Sequence, residues 1–289
     1  MRTRWWVVAG ASAGGVLGLA AYGARVLLQR QAAVARRIIG KPLGEDAPDS
    51  DRVWKKSYGE TVELVVLGDS IAAGLGAERR KDTLGGRLAR GLAKATHRSV
   101  RLRTAAVVGS ESSALRGQLA TLPADYRPDV AVVVVGGNDV THRVPVAESV
   151  SHLAETVEAL RARGAEVVVG TCPDLGALRP VPQPLRSLGS RASRLLATAQ
   201  REAALDSGAF AVSLADVVGP FFWANPDEMF SSDRFHPSAA GYQRTAKAML
   251  PSLLAALGHH DARLPFGHHA PGAPSRHHAP DPHEARSGA

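Results

Sequence analysis

Four short stretches carry side chains that belong together chemically, although the chain keeps them far apart. Gly68-Asp69-Ser70 presents a serine hydroxyl directly after an apolar run, and Gly109-Ser110 offers a glycine amide. Gly136-Gly137-Asn138-Asp139 offers a carboxamide, and Asp233-Arg234-Phe235-His236 sets an imidazole three residues after a carboxylate. A serine hydroxyl is a weak nucleophile until a neighbouring base takes its proton. His236 has the basicity for that task, and a carboxylate on its other ring nitrogen fixes tautomer and orientation. Asp233, in the same turn, is spaced to reach Nδ1 while Nε2 faces Ser70. Attack by such a serine on a carbonyl carbon creates an oxyanion. The backbone N–H groups of Ser70 and Gly109 and the side-chain amide of Asn138 are the candidate donors to it. Glycine suits position 109 because no Cβ then stands between its N–H and a substrate. Pro237 fits the first turn of a following helix, which sets His236 near the positive end of a helix dipole. The dipole disfavours imidazolium while Asp233 favours it, so the two are expected to offset each other and leave a base usable near neutral pH.

These residues need elements to hold them. Val62–Leu67, Val100–Val108, Val130–Val135, Glu166–Gly170 and Phe210–Leu214 are short apolar runs that read as strands. Between them, Thr83–His97 (with Asp82 as N-cap), Ser112–Leu122, Val146–Arg163 and Pro184–Leu205 read as helices, and Ser238–Leu257 closes the series. Continuous apolar strands alternating with amphipathic helices mean a parallel sheet covered on both faces. The expected architecture is α/β: a three-layer α/β/α sandwich around a doubly wound, flavodoxin-like, five-stranded parallel sheet, occupying about 62–258. Open parallel sheets bind ligands outside the carboxyl ends of their strands. The serine, the glycine, the asparagine and the Asp–His pair all fall at that edge.

Other residues in these loops carry plainer readings. Asp69, Asp139 and Asp174 are expected to bond loop amides or cap turns. Asp216 is the rival to Asp233 as orienter of His236. Cys172, the lone cysteine, follows an apolar run and reads as packing. Phe221, Phe222, Trp223 and Phe230 either line an acyl pocket or pack the core.

The chain has 289 residues, 45% apolar but only 5% aromatic, and a formal charge of +8. No basic run is interleaved with aromatics, so the charge points to an anionic envelope or membrane rather than to nucleic acid. Trp5 to Ala24 is uncharged over a length that matches one bilayer crossing, with Arg2 and Arg4 before it and Arg25 and Arg30 after it. We read residues 1–30 as an uncleaved transmembrane anchor or signal segment; Ala33-Val34-Ala35 is a cleavage-like site badly placed behind two arginines. The basic residues after the segment favour a cytoplasmic body, whereas its N-terminal position favours export. Residues 31–61 read as a juxtamembrane region and linker. Residues 259–289 read as a disordered tail whose His-His pairs at 259/260, 268/269 and 277/278 lack a fixed framework for a metal. No metal and no cofactor are expected.

The four stretches resemble the blocks of the SGNH, or GDSL-type, serine hydrolase family. Gly68-Asp69-Ser70-Ile71 is similar to its first block, with isoleucine where leucine is commoner. Gly109 matches the glycine of the second, Gly136-Gly137-Asn138-Asp139 the third, and Asp233 to His236 the terminal D-x-x-H. The second block often carries an asparagine shortly before its glycine, where this chain has Thr104-Ala105-Ala106-Val107-Val108. The resemblance implies a serine esterase with Ser70, His236 and Asp233 as triad and Ser70, Gly109 and Asn138 as oxyanion hole, acting on a small ester, a lipid or an acylated glycan. Short-chain acyl or acetyl esters are expected, because the stretches between blocks leave little room for a lid. Deacetylase, lysophospholipase, thioesterase and acyltransferase variants share this catalytic group. The arrangement of apolar segment, compact body and polar tail is similar to exported actinobacterial esterases, which implies a catalytic domain outside the cytoplasm at the cell envelope. The alternative is a non-catalytic envelope module that binds glycan or lipid. A nucleotide- or flavin-binding sheet would need a G-x-G-x-x-G or P-loop after the first strand, and none is there.

Overall fold

In the computed structural model the described residues are 4–40, 42–259 and 264–272, with side chains described from residue 18 onward. Seven strands form one sheet: β1 (Val53–Trp54), β2 (Gly59–Gly68), β3 (Arg98–Thr104), β4 (Val130–Val134), β5 (Glu166–Gly170), β6 (Phe210–Val212) and β7 (His268–His269). Their order is β1-β3-β2-β4-β5-β6-β7. The five inner strands are parallel, and β1 and β7 run antiparallel on the two edges. The inner order, second-first-third-fourth-fifth, is the flavodoxin-like one. It places the switch point at β2 and β4, the strands that lead to Ser70 and Asn138.

The apolar runs are continuous because both sheet faces are buried. Leu64 and Val66 of β2 face the helices Leu84–Thr96 and Ala239–Ala256. Val65 and Leu67 face the opposite layer, built from Leu115–Ala120, Val146–Ala162 and Leu185–Asp206. Each such side chain, fully withdrawn from water, contributes about 1.5–3 kcal/mol relative to an exposed one. This core holds the carboxyl edge of the sheet in place, and the site is built on that edge.

Several boundaries differ from those read in the sequence. β3 ends at Thr104 rather than Val108, because the chain turns out of the sheet after the Ala105 N–H reaches the Val66 carbonyl at 2.9 Å. The helix after β2 is capped by Thr83, whose hydroxyl accepts from the Gly86 N–H at 3.0 Å. Asp82 instead pairs with Arg79 and Arg87. The linker assigned to 31–61 is partly folded: β1 lies inside it, and Trp54 packs against the core. Of the tail assigned as disordered from 259, the described residues 264–272 return to the sheet. Gly267 accepts the Ser213 N–H at 2.8 Å, and the His268 Nδ1 and Ser252 Oγ lie 2.8 Å apart. A bare sheet edge has unpaired backbone groups, and this segment supplies partners for them. His260 and the pair 277/278 lie outside the described residues.

The N-terminal helix spans Arg4–Ile39. It docks on the body where the Gln31 Oε1 accepts the Leu185 N–H at 3.0 Å. Among the described residues no helix is long and apolar enough to cross a membrane. The side chains of residues 1–17, which make up most of the candidate span Trp5–Ala24, lie outside them.

Candidate active site

Gly68 ends β2 with φ at 136°, and a Cβ there would stand 1.8 Å from the Val134 carbonyl oxygen, so only glycine lets the chain turn this close to β4. Ser70 then opens the short helix Ser70–Ala73. At that first position its N–H has no acceptor within the helix. The Asp69 side chain accepts the Ile71 N–H at 2.9 Å and so caps the turn, as its expected role requires. Burial pushes the Asp69 carboxyl up to about 6, against the Ile71 N–H bond and the nearby His236, which favour its ionised form.

The imidazole arrives on a loop that closes on itself. The Ser231 N–H bonds the His236 carbonyl and the Ser238 N–H bonds the Met229 carbonyl, both at 2.8 Å. Within that ring the Asp233 Oδ1 accepts from the Ser231 hydroxyl at 2.8 Å and from the Phe235 and His236 N–H groups at 2.9 Å. Its Oδ2 lies 2.6 Å from the His236 Nδ1. The His236 Nε2 in turn lies 3.0 Å from the Ser70 Oγ. Burial alone would raise the Asp233 carboxyl, but the bonds from the His236 ring, the His236 and Phe235 N–H groups and Ser231 overrule it and bring it to about 2. An ionised carboxylate only accepts, so the proton between them sits on Nδ1, and in the neutral ring Nε2 accepts the serine O–H. The helix after this loop begins at Ala239 with Ser238 as its cap. Pro237 therefore lies before the cap rather than in the first turn; it pairs with Phe230 across the loop instead.

Asn138 lies in the helix Gly137–His142 after β4. One hydrogen of its Nδ2 goes to the Ser110 carbonyl at 2.9 Å, which leaves the other free for a ligand. Gly109 is exposed, with φ at 83° and open space where a Cβ would be. Asn138, Ser70 and His236 all line one cavity of about 80 Å³; Gly109 is not part of its lining. The rest of the wall is largely apolar and includes Phe222 and Phe230, whose rings meet edge-on at 4.8 Å. Phe221 faces outward under the Arg244 guanidinium, and Trp223 is partly exposed. The aromatic cluster thus divides between pocket and surface.

The remaining candidates fall elsewhere. Asp216 lies 3.6 Å from the Arg194 guanidinium. Asp174 caps a turn by accepting the Gly176 N–H at 2.8 Å. Asp139 is fully buried and accepts from the Ser112 N–H and hydroxyl and, at 2.8 Å, from the Ser149 hydroxyl. It ties the second loop to the following helix, a larger role than a turn cap. Cys172 is buried, and burial holds its thiol well above the ordinary range.

Three contributors escaped the sequence reading. Ser231 bonds the orienting carboxylate. Gly76 lies under the histidine loop so closely that a Cβ would meet the Pro237 carbonyl oxygen at 2.4 Å. Gln118, a polar residue on the buried side of a short helix, grips the backbone at Gly68. A glutamine three residues after Leu115 and beside Leu119, on the apolar face of a helix, was the local signal for the last.

Comparison with known proteins gives the family and the fold. Residues 66–244 match the GDSL-like Lipase/Acylhydrolase family. Over 251 residues the chain is 40% identical to the GDSL-like esterase Rv1075c of Mycobacterium tuberculosis, covering 83% of this chain and 80% of that one. The solved structure of TesA is 25% identical and covers 67% of this chain and 99% of its own, with a TM-score of 0.52. The psychrotrophic esterase EstA from Pseudoalteromonas sp., at 21% identity, shares the fold with a TM-score of 0.53 over 68% of this chain and 98% of its own.

Proposed function

The chain belongs to the GDSL-like lipase/acylhydrolase family and is a carboxylic ester hydrolase; from that premise we propose that it cleaves short-chain acyl esters through an acyl-serine intermediate, with Ser70, His236 and Asp233 as its triad. The observation that carries this reading is the unbroken relay from the Asp233 Oδ2 to the His236 Nδ1 at 2.6 Å and from the His236 Nε2 to the Ser70 Oγ at 3.0 Å.

In this mechanism the Ser70 Oγ attacks the ester carbonyl carbon while the His236 Nε2 takes the hydroxyl proton. Asp233 holds the ring in the required tautomer and stabilises the imidazolium that forms. The carbonyl oxygen becomes an oxyanion and is met by the Ser70 N–H and the free hydrogen of the Asn138 Nδ2; the Gly109 N–H, outside the cavity lining, is the third candidate donor. Collapse breaks the ester C–O bond, and His236 gives its proton to the departing alcohol. Water, deprotonated by the same nitrogen, then attacks the acyl-serine, releasing the acid and restoring Ser70.

The acyl preference is argued from size. At about 80 Å³ the cavity is well below the roughly 300–1,000 Å³ of pockets that enclose drug-sized ligands, so it suits a small acyl group. Its largely apolar wall suits an alkyl chain. We further propose that the uncharged stretch Trp5–Ala24 holds the enzyme at the cell envelope; release of the full chain from membranes by carbonate washing would count against this. A fluorophosphonate probe tests the catalytic reading: it should label the wild type and not Ser70→Ala. A series of p-nitrophenyl esters tests the pocket. kcat/KM should fall from acetyl and propionyl toward octanoyl, and a maximum at octanoyl would reject the short-chain assignment.

A further inference from the structure

We propose that Gln118 is the positioning residue that sets the spacing of the oxyanion donors, a proposal that rests on the reading of Ser70 as nucleophile. Gln118 lies in the helix Leu115–Ala120 and is 3% exposed. Its Oε1 accepts the Gly68 N–H at 2.9 Å. Its Nε2 donates to the Gly68 carbonyl at 2.8 Å and to the Ser110 Oγ at 3.1 Å. A peptide N–H and C=O on one side of a strand are normally served by the next strand. Here β3 has already left the sheet: Val107 returns only one bond, from its N–H to the Gly68 carbonyl at 3.2 Å. The carboxamide stands in for the missing peptide, and a buried Gly68 N–H left unpaired would be costly.

The bonds do not stop there. The Ser110 carbonyl accepts from the Asn138 Nδ2 at 2.9 Å. One line of hydrogen bonds therefore runs from the Gly68 peptide through Gln118 and Ser110 to Asn138. Ser70 lies two residues from its start, Gly109 directly precedes Ser110, and Asn138 is its end. All three proposed donors hang on this line, and Gln118 is the side chain that joins the nucleophile turn to the other two. Both Nε2 hydrogens and Oε1 are used, so the joint has no free rotation left.

The test uses the full chain with Gln118→Glu and Gln118→Met. Protonated glutamic acid keeps the acceptor for the Gly68 N–H and one donor for the Gly68 carbonyl. Ionised glutamate has no donor and faces the carbonyl oxygen with charge. Methionine has the length and neither function. With p-nitrophenyl acetate at pH 8, kcat should fall about 100-fold in both variants, the loss typical of a reacting group displaced by about 1 Å, while KM stays within about threefold. The ratio of variant to wild-type kcat should rise for Gln118→Glu as the pH is lowered toward 5, and stay flat for Gln118→Met. Wild-type kcat in either variant, a ratio flat with pH in Gln118→Glu, a loss that merely follows the unfolded fraction measured by circular dichroism, or failure of both variants to fold would overturn the proposal. Fluorophosphonate labelling separates this from its premise: an unlabelled wild type removes the nucleophile reading, whereas a labelled wild type beside fully active variants removes only the role of Gln118.

Discussion

Replacing Gly76 by alanine tests how the two halves of the site are held together. Gly76 has φ at 102° and sits against the loop that carries His236. A Cβ there would lie 2.4 Å from the Pro237 carbonyl oxygen, 3.0 Å from the His236 Cβ and 3.3 Å from the Ser231 Oγ. Ordinary contact begins near 3.4 Å, so the loop must withdraw by about 1 Å (3.4 minus 2.4). Moved that far along the relay, the His236 Nε2 would stand about 4 Å from the Ser70 Oγ instead of 3.0 Å, beyond hydrogen-bond reach. A displacement of this size costs about 100-fold in rate, or about 2.7 kcal/mol of barrier. The left-handed backbone adds about 1–2 kcal/mol of strain for any residue with a Cβ, which in a domain of this size lowers Tm by about 2–8 °C. Steady-state kinetics on p-nitrophenyl acetate should show kcat reduced about 100-fold with KM little changed, and a thermal melt should show the modest loss. A kcat within threefold of wild type, with only Tm reduced, would mean that the histidine loop does not depend on the nucleophile turn for its position.

Asp69→Asn should stabilise the fold at alkaline pH. The folded-state value of about 6 lies above the ordinary 3.8, so the native state binds the proton more tightly, and stability declines as pH rises from about 4 through 6. Ionised Asp69 then costs on the order of 3 kcal/mol above pH 7. Asparagine can still cap Ile71 and cannot ionise, so urea unfolding should show a gain at pH 8 that vanishes at pH 4; an equal gain at both would refute the burial argument. Asn138→Ala should lower kcat about 100- to 1,000-fold while lowering Tm by only a few degrees, because it loses one bond, to the Ser110 carbonyl, worth about 1 kcal/mol. An unchanged kcat/KM would take Asn138 out of the oxyanion site.

The sequence is explicit about the parts that follow a local rule. The five inner strands were legible because burial on both faces leaves uninterrupted apolar runs, and the strand ends then fix where Ser70, Asn138 and the Asp233–His236 turn must meet. Elements built by pairing alone were not legible. Val53–Trp54 and His268–His269 are two residues each, too short for any periodicity, and they exist because sheet edges need partners. The exit of β3 after Thr104 was hidden because Ala105 to Val108 remains apolar while leaving the sheet. Thr83 and Asp82 are both good caps, and Asp82 was withdrawn from the choice by two arginines. Gln118 and Gly76 act on residues that are distant in sequence or contact them only through the folded loop, which spacing along the chain does not record. The aromatic cluster divided because helix turns in Gly219–Met229 point Phe222 inward and Phe221 and Trp223 outward.

In the proposed reaction the Ser70 oxygen carries the acyl group. The direct measurement is rapid acid quenching of the full chain during turnover of p-nitrophenyl acetate, followed by peptide mass spectrometry. An acetyl group on the peptide containing Ser70, formed within the first turnover and absent from Ser70→Ala, is the predicted result. Acetylation of some other residue, or hydrolysis by Ser70→Ala at the wild-type rate, would contradict it.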